Sequence, residues 1–133
     1  MRANLEGANI QDVVFTSGVR EKTVSQGITG NFALPDDPSP VYNFTATGAA
    51  TRTITLPRIV GNTVFPTLAA IEGLQVTILN SSTVAANLLQ AANAAGDAGG
   101  ANVGPTLAIV TGGVTTMGIY QVVKGAWIYL KSA

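Results

Sequence analysis

Thr53-Ile54-Thr55-Leu56-Pro57, Gly73-Leu74-Gln75-Val76-Thr77-Ile78-Leu79-Asn80-Ser81-Ser82 and Gly125-Ala126-Trp127-Ile128-Tyr129-Leu130 decide the fold class of this chain. Each is a short β-type run bounded by small or turn-forming residues. Ile54 and Leu56 point one way while Thr53 and Thr55 point the other. Leu74, Val76 and Ile78 repeat the pattern, with Gln75 and Thr77 outward and Asn80-Ser81-Ser82 ending the run. Between Arg58 and Lys124 the only charged residues are Glu72 and Asp97. A lone domain carries more surface charge than this. The stretch is therefore expected to hide surface against other chains.

Working outward, residues 41–45 and 52–56 read as strands around Thr47-Gly48-Ala49-Ala50, and residues 107–111, 118–123 and 126–130 as three more. Lys124-Gly125 separates the last two as a tight turn. The expectation is an all-β fold, a β-sandwich or jelly-roll-like domain over residues 41–133. Residues 83–92 admit two readings. Helical spacing of Val84, Leu88, Ala91 and Ala92 behind a Ser82 or Thr83 cap favours a helix, and Leu88-Leu89-Gln90 also suits a strand. Residues 93–104 read as a Gly/Ala/Asn loop, flexible or ordered only by a neighbour.

Residues 1–40 hold eight of the fourteen charges and end in Leu34-Pro35-Asp36-Asp37-Pro38-Ser39-Pro40, a stiff extended connector. Asp12-Val13-Val14-Phe15-Thr16 suits a short strand. Gly7, Gly18, Gly27 and Gly30 interrupt the rest too often for an independent core, so the range reads as an extended N-terminal arm plus connector.

Seven basic residues balance seven acidic ones, leaving no electrostatic reason to bind nucleic acid or an anionic membrane. No window approaches the ~18 uninterrupted apolar residues of a membrane span, and Met1-Arg2-Ala3-Asn4-Leu5-Glu6 is no secretory signal. The expectation is a soluble protein made in a cytoplasm. The chain contains neither cysteine nor histidine. That removes disulfides, thiolate metal sites, the commonest general base and the nucleophile pairs built on it. Asp36-Asp37, the only adjacent acidic pair, reads as a solvated turn. Gly112-Gly113 and the 96–100 stretch are not phosphate loops, because no Lys-Ser/Thr comes after them. No catalytic, cofactor-binding or metal residue is expected.

The aromatics open three readings. Trp127 and Tyr129 share one face of the last strand, which can be core packing, a subunit interface or a sugar platform. In Met117-Gly118-Ile119-Tyr120-Gln121-Val122-Val123 both faces are mostly apolar, which suggests a covering chain or sheet. Met117, Ile119, Tyr120, Val122, Trp127 and Tyr129 are accordingly the candidate subunit interface.

On Thr53-Ile54-Thr55-Leu56-Pro57, the Gly73 to Ser82 strand and turn, Asn87-Leu88-Leu89 and Gly125-Ala126-Trp127-Ile128-Tyr129-Leu130, the chain resembles small phage virion structural proteins. These are head decoration (cement) proteins and related β-structured fibre modules, and the resemblance covers roughly residues 41–131. It implies a non-enzymatic homo-oligomer, with a trimer favoured and a dimer possible, that sits on the capsid surface of the virion. Its partner would be the major capsid protein, with Val13, Val14 and Phe15 as the candidate capsid-binding arm. A length of 133 residues favours the decoration protein over the fibre or spike module. A carbohydrate-binding, receptor-binding module using Trp127, Tyr129 or Tyr120 remains the other alternative.

Overall fold

The computed structural model describes residues 22–48, 50–83, 87–108 and 116–132. Val13, Val14 and Phe15 of the expected arm lie outside them, as do residues 109–111 of an expected strand.

The chain is mostly β. Its strands are β1 (Thr23–Ile28), β2 (Phe32–Ala33), β3 (Val41–Ala46), β4 (Thr51–Thr55), β5 (Gln75–Asn80), β6 (Leu88–Ala92), β7 (Thr116–Val123) and β8 (Ala126–Ser132). A single-turn helix, α1 (Leu68–Ile71), interrupts the β4–β5 connection. Its cap is Thr67, whose hydroxyl accepts the Ala70 amide at 3.1 Å.

Five strands form one sheet in the order β1-β3-β5-β7-β8, and three form a second in the order β2-β4-β6. Successive strands from β1 to β6 alternate between the two sheets. Thr23 pairs with Val41 and Val41 with Thr77, while Phe32 pairs with Ile54 and Ile54 with Ala91, all in parallel. The pairs β1–β2, β3–β4 and β5–β6 are therefore three coils laid on one another, a short parallel solenoid. The antiparallel β7–β8 hairpin extends the larger sheet beyond β5.

This pairing is not that of a jelly roll, whose neighbouring strands run antiparallel. After β3 the chain goes on to the other sheet, where β4 lies, instead of back beside β3. In-and-out alternation looks the same in both cases, so the period located the strands without naming their partners. The folded unit also begins earlier than expected. β1 and β2 lie within the stretch read as arm and connector, and Ile28 and Leu34 belong to the core.

One core lies between the sheets. Tyr42, Phe44, Val76, Ile78, Tyr120, Val122 and Trp127 come from the larger sheet, and Ile54, Leu89 and Ala91 from the smaller. Phe32 of β2 meets Phe44 of β3 edge-on at 5.4 Å between ring centroids, a direct sheet-to-sheet contact. Residues 88–92 are strand, not helix. Parallel pairing with β4 and burial of Leu89, Ala91 and Ala92 outweigh the local helix preference of this Ala/Leu/Gln run.

Asparagines pin the coil corners. The Asn80 amide donates to the Asn87 and Leu107 carbonyls at 3.0 and 2.9 Å, and the Asn87 amide donates to the Ala46 carbonyl at 3.0 Å. Ser82, expected as a helix cap, instead accepts the Ala46 amide at 2.8 Å. These buried side chains satisfy backbone groups left over where the chain leaves one sheet for the other.

Candidate functional site

One feature that departs from the coil rhythm is the long connection from β4 to β5, residues 56–74, all of it described. Loops of this length in compact domains carry function more often than short ones. Three side chains hold its first part. The Asp97 carboxylate accepts the Ile59 amide at 2.6 Å and the Val60 amide at 3.0 Å. Asp36 accepts the Thr63 amide at 2.9 Å and the Thr63 hydroxyl at 2.8 Å, and takes a two-pronged bond from Arg58. The Asn62 side-chain oxygen accepts the Val64 and Phe65 amides, while its NH2 group donates to the Asp36 and Arg58 carbonyls.

Asp36 is therefore a loop clamp and not the solvated turn expected of it. The hydrogen-bonded Arg58 guanidinium, aided by the Thr63 amide and hydroxyl, holds its carboxyl down to about 2. Below the loop, the buried Trp127 donates its indole N–H to the Pro57 carbonyl at 2.8 Å.

With its amides committed inward, the loop turns aliphatic side chains outward. Val60, Val64 and Leu68 are 68%, 48% and 63% exposed. Val60 and Leu68 rim a hollow of about 260 Å³ that reaches down to Asp97 and Trp127. Rigid backbone beneath exposed aliphatics is the makeup of a docking surface, because little order remains to be imposed when a partner covers it. Periodicity could not single these residues out, since Val60 and Val64 sit in a loop and Leu68 opens a single-turn helix too short to show any. The available signal was the run of Val60, Val64 and Leu68 among Gly, Asn, Thr and Pro, with no charge between Arg58 and Glu72.

The turn bearing Asp97 is ordered by its own chain, contrary to the reading of residues 93–104 as flexible or ordered only by a neighbour. Asn93 and Ala101 are joined by a 2.9 Å backbone bond, and Val103 donates to Ala91 at 2.9 Å. Glycine in the left-handed region at 99, 100 and 104 makes the reversal. At Gly104 the Tyr129 ring lies where a side chain would start, 2.6–2.8 Å from an added Cβ.

The structure divides the candidate interface residues. Tyr120, Val122 and Trp127 are buried inside this chain's own core, and Tyr129 packs partly against it. Tyr120 and Tyr129 lie against each other at 5.6 Å between ring centroids, and burial, with Tyr129 beside it, pushes the Tyr120 phenol up. Tyr120 and Trp127 are thereby too buried to stack on a sugar. Met117 and Ile119 alone point the other way, onto the outer face of the larger sheet, beside Val41, Thr77 and Leu79. Among the described residues, no group of three or more acidic side chains is placed to hold a metal ion. No helix among them is long and apolar enough to cross a membrane.

No family model matches the chain, and neither a curated protein nor a solved structure resembles it closely enough to count as a match.

Proposed function

We propose that this chain is a non-enzymatic structural protein of a bacteriophage virion, a decoration protein that binds the assembled head through its clamped β4–β5 loop. The observation that carries the reading is the exposure of Val60 and Val64 on a backbone fixed by Asp36, Asn62 and Asp97, with Leu68 exposed beyond them on the Thr67-capped turn. Covering each of these side chains contributes roughly 1–2 kcal/mol, given that each is already partly buried. The major capsid protein is the partner, with Val13, Val14 and Phe15 supplying further contacts. Binding that selects the assembled shell stabilises it by mass action. Small contributions repeated by symmetry suffice. Attachment through these aliphatic side chains is apolar and therefore resistant to moderate salt.

The test is whether the protein copurifies with virions in high copy number, and whether decorated particles outlast stripped ones on heating at low and high salt. Val60→Ser with Leu68→Ser should abolish decoration while leaving the free protein folded. Equal release temperatures for decorated and stripped particles would overturn the reading. A fibre or spike module is the second reading, favoured by the stacked coils, which extend along one axis as shafts do. Copurification at only a few copies per virion would support it.

A further inference from the structure

The hollow beside the clamped loop is apolar at its rim and one-sided in its hydrogen bonding. Ile59, Val60, Leu68 and Trp127 line it together with two polar side chains, Asn93 and Asp97. The donors of these residues are already spent. The Ile59 and Val60 amides go to Asp97, the Trp127 indole N–H to the Pro57 carbonyl, and the Asn93 NH2 group to the Ala101 carbonyl at 3.0 Å. Acceptors remain: the Asn93 side-chain oxygen and the second lone pair of each Asp97 carboxylate oxygen. Among the described residues the buried Asp97 has no ion pair. Arg58 is taken by Asp36, and Lys124 stands exposed beside Gly125. A cation entering the hollow would therefore meet a buried carboxylate that lacks a counter-charge.

We propose that the hollow receives a lysine side chain of the docking partner. Its four-carbon stem lies against Val60 and Leu68, and its ammonium donates to Asp97 and Asn93. Lysine fits better than arginine. The flat guanidinium fork pairs best with two open carboxylate oxygens, and here each already holds an amide. A compact ammonium with three rotatable donors needs only the lone pairs that are left. Enclosed below the aliphatic rim, the pair is screened less than one on the surface, which agrees with attachment that resists salt. The proposal rests on the β4–β5 loop being the docking surface and names the group that enters it.

The experiment follows Trp127 fluorescence of the full chain as N-acetyl-lysine methylamide is added. The norleucine counterpart, which has the stem without the ammonium, is the control. The lysine probe should give a saturable change, and the norleucine probe should bind about tenfold or more weakly, the loss expected without a charged hydrogen bond. Gly96 also lines the hollow, and a Cβ added there meets nothing within 4 Å. Gly96→Leu should therefore fill the hollow and abolish the response while the far-UV circular dichroism stays unchanged. Asp97→Asn should lose the preference for lysine. A flat lysine titration, equal binding of the two probes, or a Gly96→Leu protein that responds like wild type would overturn the proposal. An arginine probe that binds as tightly as lysine would overturn the choice of lysine. If Val60→Ser with Leu68→Ser abolishes decoration while the lysine probe leaves wild type unchanged, this proposal falls and the docking loop stands. A saturable lysine response in a protein that never copurifies with virions would support the hollow and overturn only the virion reading.

Discussion

Removing the Asp97 carboxylate should unpin the β4–β5 loop. Asp97 is 7% exposed and makes two charge-assisted bonds, at 2.6 and 3.0 Å, to the Ile59 and Val60 amides. Hydrogen bonds to charged groups contribute about 1.5–3 kcal/mol each. The two amides do not suffer equally when the carboxylate goes. Val60 is exposed, so water can replace the carboxylate there. Ile59 is 7% exposed, so its amide is left unpaired. Asp97→Ala should therefore cost about 2–4 kcal/mol, most of it from Ile59. With a urea m-value of about 1–3 kcal/mol/M, the midpoint should fall by roughly 1–2 M at unchanged slope. Asp97→Asn keeps one acceptor oxygen but turns an NH2 group toward the second amide, and should lie between wild type and Asp97→Ala. Trp127, the only tryptophan, donates to the Pro57 carbonyl beneath the loop, so its fluorescence reports the change directly. An Asp97→Ala protein within about 0.5 kcal/mol of wild type would refute the clamp, since that is the scatter of ordinary surface substitutions.

Three other outcomes are expected. The Asp36 carboxyl is lowered from about 3.9 in the unfolded chain to about 2 in the folded one, so its contribution is fully present above about pH 4 and lost as pH falls toward about 2. Acid titration of wild type against Asp36→Asn should show a stability difference that shrinks across that window and not above it. Gly104→Ala places a Cβ 2.6 Å from Tyr129 Cγ at a φ of +69° and should cost about 1–3 kcal/mol in urea unfolding. Lys124, at a φ of 53° before Gly125, sits in a conformation that suits asparagine better. Lys124→Asn should raise thermal stability by up to about 1 kcal/mol, since an Asn side chain tolerates the left-handed region with less steric strain.

The sequence by itself determined where most strands lie and which side of each turns inward. Ile54, Val76, Ile78 and their neighbours alternate with Thr and Gln, and the same residues line the core. The Lys124-Gly125 turn was legible too, because a two-residue reversal depends on little beyond its own backbone. Tertiary structure decided everything that depends on partners. Parallel coils and antiparallel hairpins share one period, so only the assembled sheets show that β3 lies beside β1 and β5 and not beside β4. The 88–92 segment became strand because β4 offered it a ladder and a core to fill. Core, interface and sugar platform were all open for Trp127, and Tyr120 was a candidate interface residue, until the tertiary structure put both in the core. The clamped loop was the least legible feature, since Asp36 and Asp97 meet amides 27 to 38 residues away in the chain. Such contacts leave no local pattern, because a carboxylate's partner is set by where the coils bring the backbone and not by its sequence neighbours.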